Sequence, residues 1–599
     1  MHGYPRPQLR RAGATNLNGP WLFAIDREAA WRTPEQVRWA GPIEVPFAPE
    51  TPASGVGDTR FFRACWYRRV ARITKPPHDQ RVLLHFGAVD FAATVWVNDQ
   101  LATTHEGGYT PFSADITDLL HPRGHRLSET QTIVVRAEDD PHDLSQPRGK
   151  QDWQLEPHAI WYPRTTGIWQ SVWLEQVPVT RIGSVRWSSD LQRFEIGLDI
   201  RAEGTRRDGL RLRVRLARGE RTVAEDTYSV DDGRVSRAIR LPDPGIGDER
   251  NAWLWWPSQP ALIDARLELL DEQGRVLDAV GSYTALRSTG IDGDRFLLNG
   301  QPHRLRMALD QGYWPETGLT APDDGALRRD VELAKAMGFN GVRKHQKIED
   351  PRYLYWADRL GLLVWEEMPS AYAFNETAML RLTREWTAAV ERDRGHPCIV
   401  AWVPFNESWG LPDLPASAAQ RDYAEGVYRL TKALDPSRPV ITNDGWEAPA
   451  TDIIGLHDYE QDAAALTARY GSPGSLPAML ENGRVAGRRA TLAAQRAGTV
   501  RSPASHDAPG SMPVMLTEFG GMALSDDPGG TWGYSRCATP EELADRYARL
   551  LSAVRAIPGF SGFCYTQFAD CYQETNGLLH ADRRPKVPLD VIAKATRGR

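Results

Sequence analysis

From residue 303 onward the chain alternates short apolar runs that end in polar residues with longer segments of helical period. The strand candidates are "HRLRMALD", "FNGVRKH", "GLLVWEE", "CIVAWVPFNE", "RPVITND", "DIIGLHDY", "PVMLTEFGG" and "GFCYTQFAD". Helical segments such as "DDGALRRDVELAKAMG", "TAMLRLTREWTAAVERDRG", "ASAAQRDYAEGVYRLTKALD" and "PEELADRYARLLSAVRAI" lie between several of them. In the first of these, Leu327, Val331 and Ala334 fall at helical spacing and Gly338 provides the stop. Eight such units over about 300 residues have the size and rhythm of a (β/α)8 barrel. The stretch from about Glu460 to Met512 is too long for an ordinary βα loop, and it is expected to overhang the active face.

In such a barrel the C-terminal ends of the strands meet at one face, so polar residues there are candidates for chemistry. In chain order the ends carry Asp310 and Gln311, Arg343 to His345, Glu366 and Glu367, Asn406 and Glu407, Asn443 and Asp444, His457 to Tyr459, Glu518, and Gln567 with Asp570. Carboxylates dominate. No histidine cluster of metal-ligand spacing, GxSxG turn or Cys–His arrangement stands out, and paired carboxylates without a metal or nucleotide loop favour glycoside hydrolysis. Strands four and seven lie on opposite sides of a barrel mouth, so Glu407 and Glu518 can face each other. At a separation of about 5 Å, one would serve as acid/base and the other as nucleophile. Asn406 is a neutral neighbour that would let Glu407 keep a proton, whereas Arg343 and Tyr459 could hold Glu518 ionised.

The preceding half reads as β. "RVLLHFGAVDFAATVWVND", "QTIVVRAEDD" and "GIWQSVWLE" are short β-branched and aromatic runs without a helical segment between them, as in a jelly-roll sandwich. "FEIGLDIRA" and "LRLRVRLA" then alternate strictly, placing Phe194, Ile196, Leu198 and Ile200, and Leu210, Leu212, Val214 and Leu216, on single faces. These imply a second, immunoglobulin-like sandwich. The expected division is 1–178, 179–285 and 286–599, a multidomain chain of two β-sandwiches and a C-terminal (β/α)8 TIM barrel.

Charged residues make up 25% of the 599, interspersed, with a formal net charge of −6, which argues against nucleic-acid or anionic-membrane partners. The five cysteines are odd in number and lack metal-ligand spacing. No stretch approaches the roughly 18 apolar residues of a membrane span, and the N-terminus has no signal-like apolar run, so the expected location is cytoplasmic. The 21 tryptophans are many for this length; they fit a core, but aromatic faces are also what sugar C–H surfaces stack on. Trp409, Trp446, Trp532 and Tyr565 are the candidates for such stacking.

Four segments, "DFAATVWVNDQLATTHEGGYTPFSADIT", "GFNGVRKHQKIEDPRYLYWADRLGLLVWEEMPS", "WVPFNESWG" and "MLTEFGG", resemble the family 2 glycoside hydrolases: β-galactosidases, β-glucuronidases and β-mannosidases. The resemblance runs in order along nearly the whole chain. It implies Glu407 as acid/base, Glu518 as nucleophile, Asn406 on the sugar 2-hydroxyl, and Arg343 and Tyr459 as supports of the nucleophile. Asp310, His345 and His457 complete the expected substrate-binding set. Three departures shape the specificity. "WEEMPSAYAFNE" lacks the histidine that binds magnesium in β-galactosidases, so neither a catalytic metal nor a cofactor is expected. The Asn-x-Lys element of glucuronidases is replaced by Asn576, Gly577 and Leu578, with Arg583, Arg584 or Lys586 as stand-ins for the lysine. Asp310-Gln311 stands where many relatives have a histidine.

The expected function is an exo-acting retaining β-glycosidase, best matched to β-galactosides, with carbohydrate as its partner. The alternatives are a uronide, mannoside or furanoside substrate, a transglycosylase, or a carbohydrate-binding protein with an inactive barrel. A homo-oligomer is left open by the sequence.

Overall fold

The structure is a computed structural model that describes residues 3–122, 124–125, 129–205, 208–472, 474–485, 487–492, 512–524 and 531–598. The N-terminal part folds as two antiparallel sheets. One has six strands, in the order Gly41–Val45, Gly19–Asp26, Ala64–Arg72, Thr130–Glu138, Ala92–Val97 and Gln100–Glu106. The other sets Val172–Pro178 and Gln80–Phe86 at its centre. Trp21, Tyr67, Leu84, Val95, Val135 and Leu174 fill the space between them. A second sandwich follows, built of a three-stranded and a four-stranded sheet. The residues placed on single faces by alternation, Phe194 to Ile200 and Leu210 to Leu216, all turn into its own core.

The C-terminal part holds seven parallel strands in one curled sheet, in the order Ile399–Val403, Leu363–Glu367, Gly341–Lys344, Leu305–Asp310, Phe560–Tyr565, Val514–Glu518 and Ile454–His457. The remaining barrel strand, fifth in the chain, is fragmentary: only Asn443–Asp444 forms a ladder, beside Phe405–Asn406. The cause is local. Pro404 interrupts the fourth strand, Pro439 lacks an N–H, and the Val440 N–H donates to the Asp452 carboxylate instead of to a neighbouring strand. Gly455 lets the fifth strand lie against the sixth, since a Cβ there would meet Asp444 Oδ1 at 1.7 Å.

The outer helices follow the apolar spacing. Asp324–Ala336 is capped by the Asp323 side chain accepting from Ala326 N, and Leu327, Val331 and Ala334 are fully buried on the barrel wall. In the long excursion, Ala463–Tyr470 and Ser475–Asn482 are helical, and Thr491 bridges back to Ala448 beside the fifth strand. Residues 493–511 of that excursion lie outside the described residues.

Candidate active site

Strand register decides which polar ends face inward. Leu309 pairs with Arg343 and Asp310 with Lys344, so Arg343 and Lys344 point to opposite sides of the wall. Arg343 faces in and is fully buried. Its Nε lies 2.5 Å from Glu367 Oε2, and its Nη1 lies 2.6 Å from Asp444 Oδ2 and 3.1 Å from Glu518 Oε1. Its Nη2 donates to Asn406 Oδ1 at 2.6 Å. One guanidinium thus joins the ends of strands two, three, four, five and seven. Burial opposes its charge, but the three carboxylates outweigh that and raise its pKa well above the usual value.

Above this floor stand the two expected carboxylates. The chain turns sharply after the fourth strand: Glu407 and Ser408 have φ of 48° and 57°, a left-handed pair that non-glycine residues seldom adopt. The turn is pinned by Glu407 N donating to Asp444 O at 3.0 Å and Ser408 N donating to Asn443 Oδ1 at 2.9 Å. It aims Glu407 at the mouth. Tyr459 donates its hydroxyl to Glu518 Oε2 at 2.6 Å, and its ring stacks on Tyr534. His457 sits between the carboxylates, with Nδ1 2.8 Å from Glu407 Oε1 and Nε2 3.4 Å from both Glu518 Oε1 and Asp444 Oδ2. Single ligand atoms of Glu407, His457 and Glu518 all lie within 4.8 Å of one another.

The electrostatics differ from the expectation drawn from neighbours in sequence. Burial raises the Glu407 pKa, but the hydrogen bond and charge of His457 outweigh it and lower the pKa below the ordinary value. Asn406, adjacent in the chain, spends its carbonyl oxygen on Arg343 instead. His457 is itself pulled down by burial, then pushed up to about 10 by Glu518, Asp444 and Glu407, so it is an imidazolium at neutral pH. His345 shows the opposite balance: burial and Arg343 depress it well below the usual range, leaving a neutral ring 3.0 Å from Glu367 Oε1.

Two expected site residues are not brought to the mouth. Asp310 shares the outward face with Lys344 and joins a sealed ionic cluster, in which Lys344 Nζ lies 2.8 Å from Asp310 and 2.7 Å from Glu349. Tyr565 is fully buried against Tyr547 of the helix Pro540–Ala556, because its neighbour Cys564 takes the inward position beneath Arg343. Glu366 likewise faces outward, toward Asp393. Trp409 and Trp446 line the rim beside Glu407, and Trp532 reaches it at one remove, packing on Tyr534. The stand-ins for a glucuronidase lysine are committed elsewhere: Arg583 to Asp330, Arg584 to Asp582, and Lys586 to Asp570. Asn576 is locked between Gln567 and Glu574.

Other residues were not singled out from the sequence. Asp444 was visible as a strand end, yet its role as second carboxylate on Arg343 needs the register of the fragmentary fifth strand. The N-terminal sandwich contributes a loop over the mouth. Asp139 and Asp140 pair with Arg164 and Arg63, while Arg148 N and Gly149 N donate to Ser370 O, and Tyr162 donates its hydroxyl to Glu574. Gly149, at φ 59°, approaches so closely that a Cβ would meet Gln346 O at 2.6 Å. Next to it, Lys150 is 5% exposed, with its ammonium 5.7 Å from the Tyr162 ring centre. Among the described residues that ammonium has no hydrogen-bond or ion-pair partner. No local sequence signal links residue 150 to a barrel two hundred residues away.

Among the described residues, two clusters have the donor sets of metal ligands. Glu407, His457 and Glu518 form one, which a cation could enter only by displacing the proton of the imidazolium. Asp358, His396 and Cys398 form the other, behind the barrel, where Asp358 already accepts from His396 Nδ1, Tyr283 Oη and Cys398 N.

Comparison with known proteins agrees with this architecture. The model of the TIM barrel domain of glycosyl hydrolases family 2 matches residues 291–469. A β-glucuronidase from Felis catus is 29% identical over 521 residues, covering 76% of this chain and 73% of that protein. A β-galactosidase from Thermoanaerobacter pseudethanolicus is 27% identical over 392 residues, covering 64% of this chain and 48% of that protein. In structure the chain is similar to a Bifidobacterium dentium β-glucuronidase complexed with coumarin-3-O-glucuronide, with a TM-score of 0.76, 21% identity, and 99% and 98% of the two chains covered. It is also similar to an Eisenbergiella tayi β-galacturonidase bound to galacturonate, with a TM-score of 0.71, 19% identity, and 100% and 99% covered. The barrel, matched over residues 291–469 and carrying its paired carboxylates at the mouth, is similar to that of the glycosyl hydrolases of family 2, and the chain is a glycoside hydrolase.

Proposed function

We propose that the chain is an exo-acting retaining β-glycosidase with Glu518 as nucleophile and Glu407 as acid/base. The observation that carries this reading is the closeness of the two carboxylates, whose oxygens lie within 4.8 Å of each other and of His457. Retaining enzymes keep the two groups about 5 Å apart, whereas inverting ones leave room for a water. Glu518 is held as a nucleophile should be: Arg343 neutralises it from below and Tyr459 fixes its second oxygen. Glu407 is the more exposed of the pair, as suits a group that meets both leaving group and water.

In the first step a Glu518 oxygen bonds to the anomeric carbon, the glycosidic C–O bond breaks, and Glu407 gives its proton to the leaving oxygen. His457, an imidazolium 2.8 Å away, holds the Glu407 carboxyl in place through a charge-assisted hydrogen bond. In the second step Glu407 takes a proton from water, the water oxygen bonds to the anomeric carbon, and the ester to Glu518 breaks. Asn406, fixed by Arg343, is placed to meet the sugar hydroxyl beside the reacting carbon. A 2-deoxy-2-fluoro glycoside with a good leaving group should label the peptide containing Glu518. Labelling elsewhere would contradict the assignment.

For the glycone, a β-galactoside is the reading taken from the sequence. A β-uronide is favoured by a specific observation: Lys150 is a largely buried side chain without an ion-pair partner among the described residues, while Arg583, Arg584 and Lys586 are all paired. A panel of nitrophenyl β-galactoside, β-glucuronide and β-galacturonide decides between them. If a uronide is the substrate, Lys150→Met should lower its kcat/KM on the order of a hundredfold, as expected for a charge-assisted hydrogen bond. Equal losses on neutral glycosides would remove the uronide reading.

A further inference from the structure

Five aromatic side chains from both ends of the molecule meet at one side of the mouth. Trp153 and Trp161 come from the N-terminal loop, Tyr372 follows the third barrel strand, Trp409 follows the fourth, and Trp446 follows the fifth. Their ring centres form a continuous chain, 5.0 Å from Trp153 to Trp161, 5.5 Å on to Trp409, and 6.4 Å on to Trp446. All five remain half-buried, so they do not form a closed core. Leu155, in the same N-terminal loop, is 48% exposed. The platform is rigid: Trp161 Nε1 donates to Tyr372 Oη at 2.7 Å, Tyr372 Oη donates to Gly149 O at 2.6 Å, and the Arg488 guanidinium lies 4.4 Å from the Trp446 ring centre.

Its position is set by chemistry. Trp409 follows Glu407 by two residues, and the charge of Glu407 reaches the Tyr372 hydroxyl. An acid must stand beside the oxygen it protonates, so the leaving group occupies the Glu407 side of the anomeric carbon. Resting on Glu407 as the acid, we propose that Trp153, Trp161, Tyr372, Trp409 and Trp446 bind the leaving group, and that this group presents a flat apolar face. A sugar ring offering its C–H face and an aryl group share that chemistry, and both stack on indole rings. The N-terminal sandwich thereby selects what is attached to the sugar, while the barrel cleaves it.

The test compares three substrates of one glycone: a disaccharide, a nitrophenyl glycoside and a glycosyl fluoride, whose leaving group has no ring. For Trp161→Ala and Trp153→Ala, the ratio of kcat/KM on a ring-bearing substrate to that on the fluoride should fall on the order of tenfold. A loss of folded protein cancels in that ratio. A fall confined to the disaccharide assigns the platform to a sugar, and one confined to the nitrophenyl glycoside assigns it to an aryl group. Trp161→Phe should restore most of the ratio. A ratio equal to that of the wild type in both alanine variants overturns the proposal. Failure of the underlying acid assignment reads differently: fluoride needs no acid to leave, so Glu407→Ala should retain fluoride cleavage far better than disaccharide cleavage. Equal losses there would refute Glu407 as the acid, whatever the tryptophan variants do.

Discussion

The two faces of the barrel wall carry the same residue types and use them differently. Inward, Arg343, Glu367, Asp444, His457 and Glu518 share charge around an open mouth, where Glu407 remains in reach of solvent. Outward, Lys344, Lys347, Asp310 and Glu349 pair in a sealed cluster between strands and helices, as do Arg583 and Asp330. Both sets are buried, so burial does not separate chemistry from architecture. What differs is that the inward carboxylates converge on one guanidinium and one imidazolium with an opening above them. A group in the outward set has structure to hold and no substrate to meet.

Breaking the central cation should have the largest effect. Arg343→Met leaves Glu367, Asp444 and Glu518 without their shared partner. It should cost about 3–5 kcal/mol of stability, and at least a thousandfold in kcat in whatever remains folded. Asp310→Asn tests the outward face: it should lower stability by an amount up to about 3 kcal/mol, through loss of one of the two carboxylates on Lys344, while kcat/KM stays within about threefold of the wild type. A large loss of kcat/KM with normal stability would return Asp310 to the substrate site.

A smaller and pH-dependent effect belongs to His457. Its folded pKa of about 10 lies above the unfolded value, so its pairing stabilises the protein fully below about pH 6.5 and progressively less as pH rises toward 10. The melting-temperature gap between the wild type and His457→Gln should therefore be widest near pH 6 and narrow steadily toward pH 10. A gap that widens with pH would mean that His457 is not an imidazolium. The smallest effect is expected at Tyr565, whose buried hydroxyl has no side-chain hydrogen-bond partner among the described residues. Tyr565→Phe should leave activity unchanged and stability unchanged or slightly raised.

These contrasts also show what the sequence could convey. Apolar runs ending in polar residues revealed the strands and their reactive ends, because burial and period are local properties. Which face each end residue takes is a matter of register between strands that are distant in the chain. That is why Asp310 and Tyr565 looked like substrate contacts, and why Asp444 was not chosen. The proline breaks at Pro404 and Pro439 were visible in the sequence, but their effect on the fourth and fifth strands depends on which neighbours remain to pair. Lys150, Trp153 and Trp161 had no signal at all, since their meaning arises from a loop of one sandwich crossing to another domain. The pKa of Glu407 was misread for the same reason: its neighbour in sequence is Asn406, but its neighbour in space is His457.

The central claim is that Glu518 and Glu407 act as an opposed pair at the short spacing of a retaining enzyme, with an oxygen of each within 4.8 Å of the other. The stereochemistry of hydrolysis, followed by proton NMR on a nitrophenyl β-glycoside that the enzyme cleaves, tests it most directly. The β-anomer of the free sugar should appear first and then mutarotate, with Glu518→Gln reducing turnover by at least about a thousandfold. First appearance of the α-anomer would contradict the account.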